Sequence, residues 1–228
     1  MLDRKKKETY RLLQSKGFGL PQVNFAQQLI EEQTNDKHFK DCLLTCENCS
    51  LGSQYQGEKV LGDGPITSPI MIVGDYTKED DEESGIPFSG SAGVLLTMAL
   101  QALGVDRRCV YITNAVKCRC CMGPTPDNLA TCKPYLEYEI NRMKPKHIIT
   151  LGNVALKSVT NNFEVKISEY RGAILKKGDF KIYPTWHPDY LLNKSGMEYK
   201  KASEEFIYDL KKALDIVKEE NKGYKWIL

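Results

Sequence analysis

Four short runs of apolar, mostly β-branched residues recur along the middle of the chain, each bounded by glycine, proline or polar residues. Their nearly continuous apolar character is typical of parallel strands that are buried on both faces. The predicted strands are Ser68–Gly74, Cys109–Val116, His147–Leu151 and Lys181–Trp186.

Patterns with helical spacing separate these runs and follow them. They predict helices over Ala92–Leu103, Leu129–Met143, Val154–Thr160 and residues 198–220. Because strands that alternate with helices form βαβ units, the pattern predicts an α/β fold with a mainly parallel, doubly wound, four-stranded sheet. Ligands are expected at the carboxyl ends of its strands.

The first 40 residues are helix-prone but are interrupted by Gly17, Gly19 and Pro21, which predicts two short helices. No repeat, low-complexity segment or linker divides the rest of the 228 residues. The sequence therefore predicts a helical N-terminal extension over residues 1–40 and a single domain over residues 41–228, closed by a C-terminal helix.

Composition excludes several protein classes. Hydrophobic residues make up 41% of the chain and charged residues 27%, which is the balance of a globular protein and not of a disordered one. No segment approaches the roughly 18 to 20 apolar residues of a membrane span, and Met1–Lys7 lacks the apolar run of a signal peptide. We expect an intracellular protein, cytoplasmic or associated with the nucleoid, that has no membrane partner.

The net charge of +2 hides an uneven distribution. Residues 41–99 carry two Lys or Arg against ten Asp or Glu, whereas residues 100–186 carry fourteen against seven. A local basic stretch favours contact with a polyanion, although a solvated surface is the simpler alternative.

Eight cysteines in an intracellular chain favour metal ligation over disulfides, since thiols there are normally reduced. Cys46 and Cys49 form a tight C-x2-C pair. A second group follows after a long gap, and within it Cys118 and Cys132 are separated by thirteen residues.

Polar and aromatic residues stand where the predicted strands end. Asp75 follows the first strand, Asn114 lies at the end of the second, and His187 follows the fourth. Phe88 lies in a loop rich in glycine and serine. Because parallel strands present their carboxyl ends at one edge of a sheet, we expect these four side chains to converge.

Several motifs in this order resemble those of the iron–sulfur uracil-DNA glycosylases of the family-4 type. The resemblance covers residues 42–193, about two thirds of the chain. The motifs are Cys46-Glu-Asn-Cys49, Gly74-Asp75, Gly85-Ile-Pro-Phe-Ser-Gly-Ser-Ala-Gly93, Tyr111-Ile-Thr-Asn-Ala-Val-Lys-Cys118, Cys132 and His187-Pro-Asp-Tyr-Leu-Leu192. The resemblance implies a three-layer α/β/α sandwich and an enzyme that flips uracil or a related base out of DNA and hydrolyses its N-glycosidic bond.

The resemblance also implies roles for the four converging residues. Phe88 would stack on the flipped base and Asn114 would read its edge, since an amide can donate to one uracil group and accept from its neighbour. His187 would stabilise negative charge on O2 of the departing base. Asp75 would favour the oxocarbenium-like sugar or position the attacking water.

Contacts with DNA follow from the same resemblance and from the basic stretch. Leu191 corresponds to the wedge that enters the vacated stack. Lys117, Arg119 and Arg171 are predicted to contact phosphates. The expected partner is DNA that contains uracil or a related base, bound by a monomer.

Family correspondence assigns Cys46, Cys49, Cys118 and Cys132 to a [4Fe-4S] cluster. Cys120 and Cys121 stand where the family often has prolines, and either could replace Cys118 as a ligand. Zinc held by four thiolates is the nearest alternative metal.

A second spacing, C-x3-C-x2-C, runs through Cys42, Cys46 and Cys49 and is that of radical S-adenosylmethionine enzymes. Asn48 stands where those enzymes prefer an aromatic residue, and Cys118 and Cys132 would go unused. Binding of S-adenosylmethionine would distinguish the two readings.

Two motifs depart from the family pattern. Gly74-Asp-Tyr-Thr-Lys78 replaces G-E-A-P-G, and His187-Pro-Asp-Tyr-Leu-Leu-Asn193 replaces H-P-S-Y-L-L-R. The second change removes a basic residue and adds an acidic one where phosphates are expected. These departures keep open a noncatalytic, glycosylase-like DNA-binding module of a replication or phage polymerase system.

Overall fold

The computed structural model describes residues 36–54 and 57–227, which fall into two units that divide between Thr45 and Cys46. In the first unit, residues 36–44 are helical. The predicted pair of short helices over residues 1–40 lies almost wholly outside the described residues. The second unit carries the sheet and the candidate site.

A five-stranded sheet forms the centre of the second unit. Its strands are β1 (Ile70–Thr77), β2 (Tyr111–Arg119), β3 (His147–Leu151), β4 (Leu175–Lys177) and β5 (Phe180–Thr185). They lie in the order β2-β1-β3-β5-β4, and every neighbouring pair is parallel except β4 and β5. This reversal of strand order on the two sides of β1 is typical of doubly wound folds, which bind ligands at the carboxyl edge.

The predicted count of four strands is one too low. The additional strand, β4, has three residues, two of them lysines, and it pairs with β5 through a tight turn at the edge of the sheet. Because it is short and not apolar, it lacks the hydrophobic run that identified the other four strands.

Helices flank the sheet on both faces. They are α1 (Ser50–Gln54), α2 (Glu79–Ser84), α3 (Ser91–Ala102), α4 (Pro126–Met143), α5 (Asn153–Thr160), α6 (Ile167–Tyr170), α7 (Pro188–Leu192) and α8 (Gly196–Glu220), with a 3-10 turn at Arg107–Cys109. Within the described ranges, no helix is both long and apolar enough to cross a membrane.

Two hydrophobic cores explain the apolar runs in the strands. Along β1, Ile70 and Ile72 belong to the core formed with α3 and α8, whereas Met71 and Val73 belong to the core formed with α4 and α5. Successive side chains on a strand point to opposite faces, so a strand that is covered on both faces must be apolar throughout. The α/β class and the three-layer α/β/α arrangement are therefore confirmed.

Candidate active site

A pocket of about 400 Å³ on the second unit is lined by residues from the end of β1, from the middle of β2 and from the segment that follows β5. Phe88, Asn114 and His187 all line it, as the strand order requires. Asp75 lies in the last part of β1, one residue after Gly74, and is not among the residues that line the pocket. The remaining lining residues are Tyr76, Lys78, Glu79, Asp80, Asp81, Gly90, Ser91, Ala92, Gly93, Asp189 and Asn193.

The Asn114 side chain supplies an unpaired donor and an unpaired acceptor to this pocket. Asn114 is 2% exposed, and among the described residues neither its Nδ2 nor its Oδ1 has a hydrogen-bond partner. A buried polar group without a partner costs about 1 to 3 kcal/mol, so such an amide is rarely left unpaired without a functional reason. The amide therefore offers one donor and one acceptor to a ligand.

Gly74 makes room for the two side chains that meet beside it. It pairs with Asn114 in the β1–β2 register. A Cβ atom at Gly74 would lie 2.3 Å from the Asn114 Oδ1 and 2.5 Å from the Phe88 ring. Both distances are shorter than real Cβ contacts, so any larger residue would displace the amide or the ring.

Phe88 is held in a backbone conformation that few non-glycine residues adopt. Its φ is +58°, and its ring is buried and lies 5.5 Å from the His187 ring, centroid to centroid. The Arg107 guanidinium donates to the carbonyls of Phe88, at 2.8 Å, and Pro87. Such backbone strain costs about 1 to 3 kcal/mol and persists where the surroundings enforce it. Here Arg107 fixes the loop that presents the ring to the pocket.

His187 is a neutral imidazole with a defined tautomer. It precedes α7, and the backbone N–H of Asp189 donates to its Nδ1 at 3.1 Å. Since Nδ1 accepts, the proton of the neutral ring lies on Nε2. Burial lowers the pKa of His187 to about 4; the nearby cation of Lys78 acts in the same direction, and the Asp189 carboxylate opposes it. Nε2–H is therefore available as a donor at neutral pH.

Asp75 is anchored at the start of α5. Its Oδ1 accepts from the backbone N–H of Ala155 at 2.8 Å, and the N–H of Val154 also stabilises the carboxylate. Burial nevertheless raises the pKa of Asp75 to about 7. Gly152 permits this approach, because a Cβ atom there would lie 2.5 Å from the Asp75 Oδ2. A carboxyl group with a pKa near 7 changes its charge in the physiological range.

An ion pair that the sequence analysis missed lies beside these groups. The Lys78 ammonium is 3.0 Å from the Asp189 carboxylate, and both residues line the pocket. The available signal was that each of the two departures from the family motifs introduces a charge, one positive and one negative. The pairing of Lys78 with Asp189 could be inferred only once the end of β1 and α7 were known to be adjacent.

Four cysteines share one region of the second unit. Cys46, Cys118 and Cys132 are buried and Cys49 is half-buried; Cys49, Cys118 and Cys132 belong to or pack on a small apolar cluster. Burial raises the pKa of the Cys118 thiol to about 12, and the thiols of Cys132, Cys49 and Cys46 act in the same direction, in that order. These are the four thiols that the family correspondence predicts, and their proximity fits a group held by four cysteine thiolates.

Cys120 is buried in the same apolar cluster as Cys118 and Cys132, but neither Cys120 nor Cys121 is among the thiols that act on the pKa of Cys118. Cys120 accepts hydrogen bonds from the backbone N–H groups of Met122 and Gly123, and Cys121 is exposed. No group of three or more His, Cys, Asp or Glu side chains in the described part of the chain is arranged to hold a single metal ion.

Two of the predicted DNA contacts are wrong. Lys117 is fully buried and forms an ion pair with Glu139 of α4, so it cannot contact a phosphate. Leu191 is 1% exposed and packs in the core with α3 and α8, whereas its neighbour Leu192 is 45% exposed. A leucine that enters the DNA stack must be exposed, and Leu192 is the leucine of α7 that meets this condition.

The other two basic residues remain predictions, and both have carboxylate partners. Arg119 contacts Glu79 and Glu82. Arg171 forms ion pairs with Glu205 and Asp209 of α8. Either side chain would have to exchange a carboxylate for a phosphate in order to contact DNA.

Comparisons with known proteins agree with this architecture. The family model described as the uracil DNA glycosylase superfamily matches residues 61–211. The type-4 uracil-DNA glycosylase of Thermotoga maritima is 37% identical over 164 residues, 71% of this chain and 84% of that protein. That of Sulfurisphaera tokodaii is 36% identical over 161 residues, 66% of this chain and 72% of that protein. The DNA polymerase of Bacillus phage SP01 is 29% identical over 160 residues, 69% of this chain but 17% of that protein.

Proposed function

The chain belongs to the uracil-DNA glycosylase superfamily, and from that membership we propose that it removes uracil, or a closely related base, from DNA by hydrolysing the N-glycosidic bond. The observation that carries the proposal is the buried, unpaired amide of Asn114 in a pocket that Phe88 and His187 also line. The relatives that this chain matches over most of their length are named uracil-DNA glycosylases, which favours the enzyme over the noncatalytic module.

Base recognition would use Asn114 and Phe88. Uracil presents a carbonyl acceptor beside an N–H donor, and the amide of Asn114 can pair with both at once. Cytosine presents the opposite arrangement and would leave the amide mispaired. Flipping a base costs a few kcal/mol in lost stacking, and the Phe88 ring provides an apolar face that restores part of it.

In bond cleavage, His187 would stabilise the negative charge on the base and Asp75 the positive charge on the sugar. As the glycosidic bond breaks, negative charge develops on the base and positive charge on the sugar. The Nε2–H of neutral His187 can donate to the base oxygen that becomes negative. The ionised Asp75 carboxylate can stabilise the sugar cation or orient a water molecule, and with a pKa of about 7 the ionised fraction increases as the pH rises through neutrality.

A [4Fe-4S] cluster would be held by Cys46, Cys49, Cys118 and Cys132. In this position it would tie the segment before α1, the end of β2 and α4 together. The cluster would supply structural cross-linking, since no step of the hydrolysis requires electron transfer. We further propose that the protein acts on DNA as a monomer inside the cell, with residues 41–228 as the glycosylase domain.

Iron and sulfide are expected in the protein purified without oxygen. The charge-transfer band of thiolate-bound iron, at roughly 400 nm, should fall when Cys132 is replaced by alanine, and iron content should fall with it. Cys121→Ala is the matched control, since that thiol is exposed, and should leave both unchanged. Stoichiometric zinc without iron, or equal loss in the two variants, would contradict this ligand set.

The proposed reaction is tested by excision from a panel of oligonucleotides. Anaerobically purified protein should release free base from uracil-containing DNA and leave an abasic site, detected by cleavage with alkali. DNA with thymine or cytosine at the same position should remain intact. If the protein releases a different modified base and leaves uracil intact, the proposed substrate base is wrong but the proposed reaction class stands.

Replacing Asn114 with alanine is expected to weaken capture of the base and to reduce discrimination against cytosine. Removing a hydrogen-bond partner of the substrate should lower the excision rate by about 10- to 100-fold, which corresponds to about 1.4 to 2.8 kcal/mol. Single-turnover excision from uracil and cytosine substrates measures both effects. Asn141→Ala, at an exposed position of α4, is the matched control and should leave both measurements unchanged. An unchanged ratio of the uracil and cytosine rates would contradict the edge-reading role.

A further inference from the structure

Charge around the pocket is strongly unbalanced. Four carboxylates line it, from Glu79, Asp80, Asp81 and Asp189. Lys78 is the one lysine or arginine among the described residues that line it. A pocket for a base that leaves as an anion, carried on a polyanionic strand, is expected to present cations. The excess of carboxylates over cations in this lining is the opposite of that expectation.

Two of these carboxylates, those of Asp81 and Glu79, already have partners, and a third, that of Asp80, is exposed to solvent. Asp81 accepts from the backbone N–H groups of Lys78 and Ser89. Glu79 forms an ion pair with Arg119 at 2.8 Å, and Asp80 lies on the exposed face of α2. Asp189 differs because its carboxylate Oδ2 lies 3.5 Å from the Nδ1 of His187.

Lys78 meets the Asp189 carboxylate at this point. The distance from its Nζ to the Asp189 Oδ2 is 3.0 Å, and the same ammonium donates to the Tyr76 hydroxyl at 3.4 Å and lies 4.4 Å from the centre of the Tyr76 ring. The Tyr76 side chain therefore holds the Lys78 ammonium through both a hydrogen bond and a cation–π contact. The pKa of Lys78 is raised, because contacts with Asp189 outweigh the opposing effect of burial, so the side chain is a cation and not an amine nucleophile.

We propose that Lys78 is a positioning residue that neutralises the Asp189 carboxylate beside His187, and that the two residues act as one unit in base excision. This inference rests on the proposed function. Without Lys78, the Asp189 charge would oppose the negative charge that develops on the departing base and would attract a proton to Nδ1 of His187. That proton would break the hydrogen bond from the Asp189 N–H that defines the tautomer.

Substitutions at the two positions should therefore have opposite effects. Lys78→Met leaves an uncompensated carboxylate and should slow single-turnover excision of uracil by about tenfold or more, as for the loss of one electrostatic contact. Asp189→Asn leaves an unopposed cation and should accelerate excision. The double variant should recover most of the loss caused by Lys78→Met. Lys211→Met, from the exposed Lys211–Asp215 pair on α8, is the matched control and should change nothing.

The imidazole of His187 reports on the pair without any substrate. The chain has three histidines, so nitrogen-15 NMR can follow each ring in the intact protein. Lys78→Met should raise the pKa of His187 and Asp189→Asn should lower it, because the cation and the carboxylate act on that ring in opposite directions. The pKa of Asp75, which Lys78 lowers and Asp189 raises, should shift in the same directions in the two variants. His38 and His147 provide internal references.

The outcomes separate this inference from the proposed function. A double variant as slow as Lys78→Met, or an unchanged His187 titration in both single variants, would overturn the pairing even if the wild-type protein excises uracil. If the wild-type protein excises nothing, the proposed function fails, whereas the opposite shifts of the His187 titration would still support the pair.

Discussion

Replacing Asp75 with asparagine is expected to slow single-turnover excision of uracil by about 100-fold or more while leaving DNA affinity within a few-fold of the wild-type value. The carboxylate acts on positive charge that exists only as the glycosidic bond breaks, so its loss should reduce the rate and not the binding. The wild-type rate should also rise about tenfold per pH unit up to about pH 7 and then level off, since the pKa of Asp75 is about 7.

The Asp75→Asn substitution should lower activity but raise the stability of the folded protein above neutral pH. Because the folded state raises the pKa of Asp75 from 3.8 to about 7, ionising this carboxyl costs folding free energy, and the cost grows as the pH rises between those values. Asp75→Asn should therefore raise the melting temperature at pH 8 and change it little at pH 4. Asp179→Asn, in an exposed turn, is the control for both measurements. Full excision activity in the Asp75→Asn protein would exclude the assigned role.

Removal of the His187 side chain should have a comparable effect on the rate. His187→Ala deletes the one donor that we assign to the departing base, and loss of such a donor typically lowers the rate by about 100- to 1,000-fold. His187→Gln retains an N–H donor of similar reach and should be less impaired. Single-turnover excision at saturating protein, together with DNA affinity, separates a slower chemical step from weaker binding.

The pH dependence distinguishes a neutral donor from a protonated one. With a pKa lowered to about 4, His187 remains neutral across the pH range in which Asp75 titrates. The wild-type profile should therefore show one rising limb and no loss of activity between pH 7 and pH 9. A falling limb near pH 6 to 7 that disappears in His187→Gln would instead indicate an imidazolium as the acid.

Much of the fold could be predicted because its strands are buried on both faces. Each central strand is a continuous apolar run, and the strand order then brings Phe88, Asn114 and His187 to one pocket. The short elements α2, α6 and α7 have no such signal, because their lengths of four to six residues leave too few positions for a helical repeat. β4 was not predicted because its three residues, two of them lysines, form no apolar run.

The direction of individual side chains could not be predicted in the same way. Lys117 directly follows the predicted strand Cys109–Val116 and belongs to the basic stretch, yet Glu139 of α4, 22 residues later, pairs with it inside the protein. Leu191 and Leu192 are adjacent in sequence, and only the packing of α7 on α3 and α8 decides that the first is buried and the second exposed. Such choices depend on contacts between distant segments, which leave no local pattern.

The protonation states of Asp75 and His187 also could not be predicted from the sequence. The raised pKa of Asp75 follows from burial next to the start of α5, and the lowered pKa of His187 follows from burial together with the nearby cation of Lys78. Residue type alone suggests an ionised aspartate and a half-protonated histidine. The structure instead indicates an aspartate that titrates near neutral pH and a histidine that does not.

The most direct test of the proposed function is to count the uracil molecules that each protein molecule releases. With uracil-containing oligonucleotide in tenfold excess, free uracil should accumulate well beyond one equivalent, and abasic sites should appear in equal amount. Tight binding of the same DNA with no free base, under conditions in which the iron content is complete, would contradict the account and would identify a module that captures DNA without cleaving it.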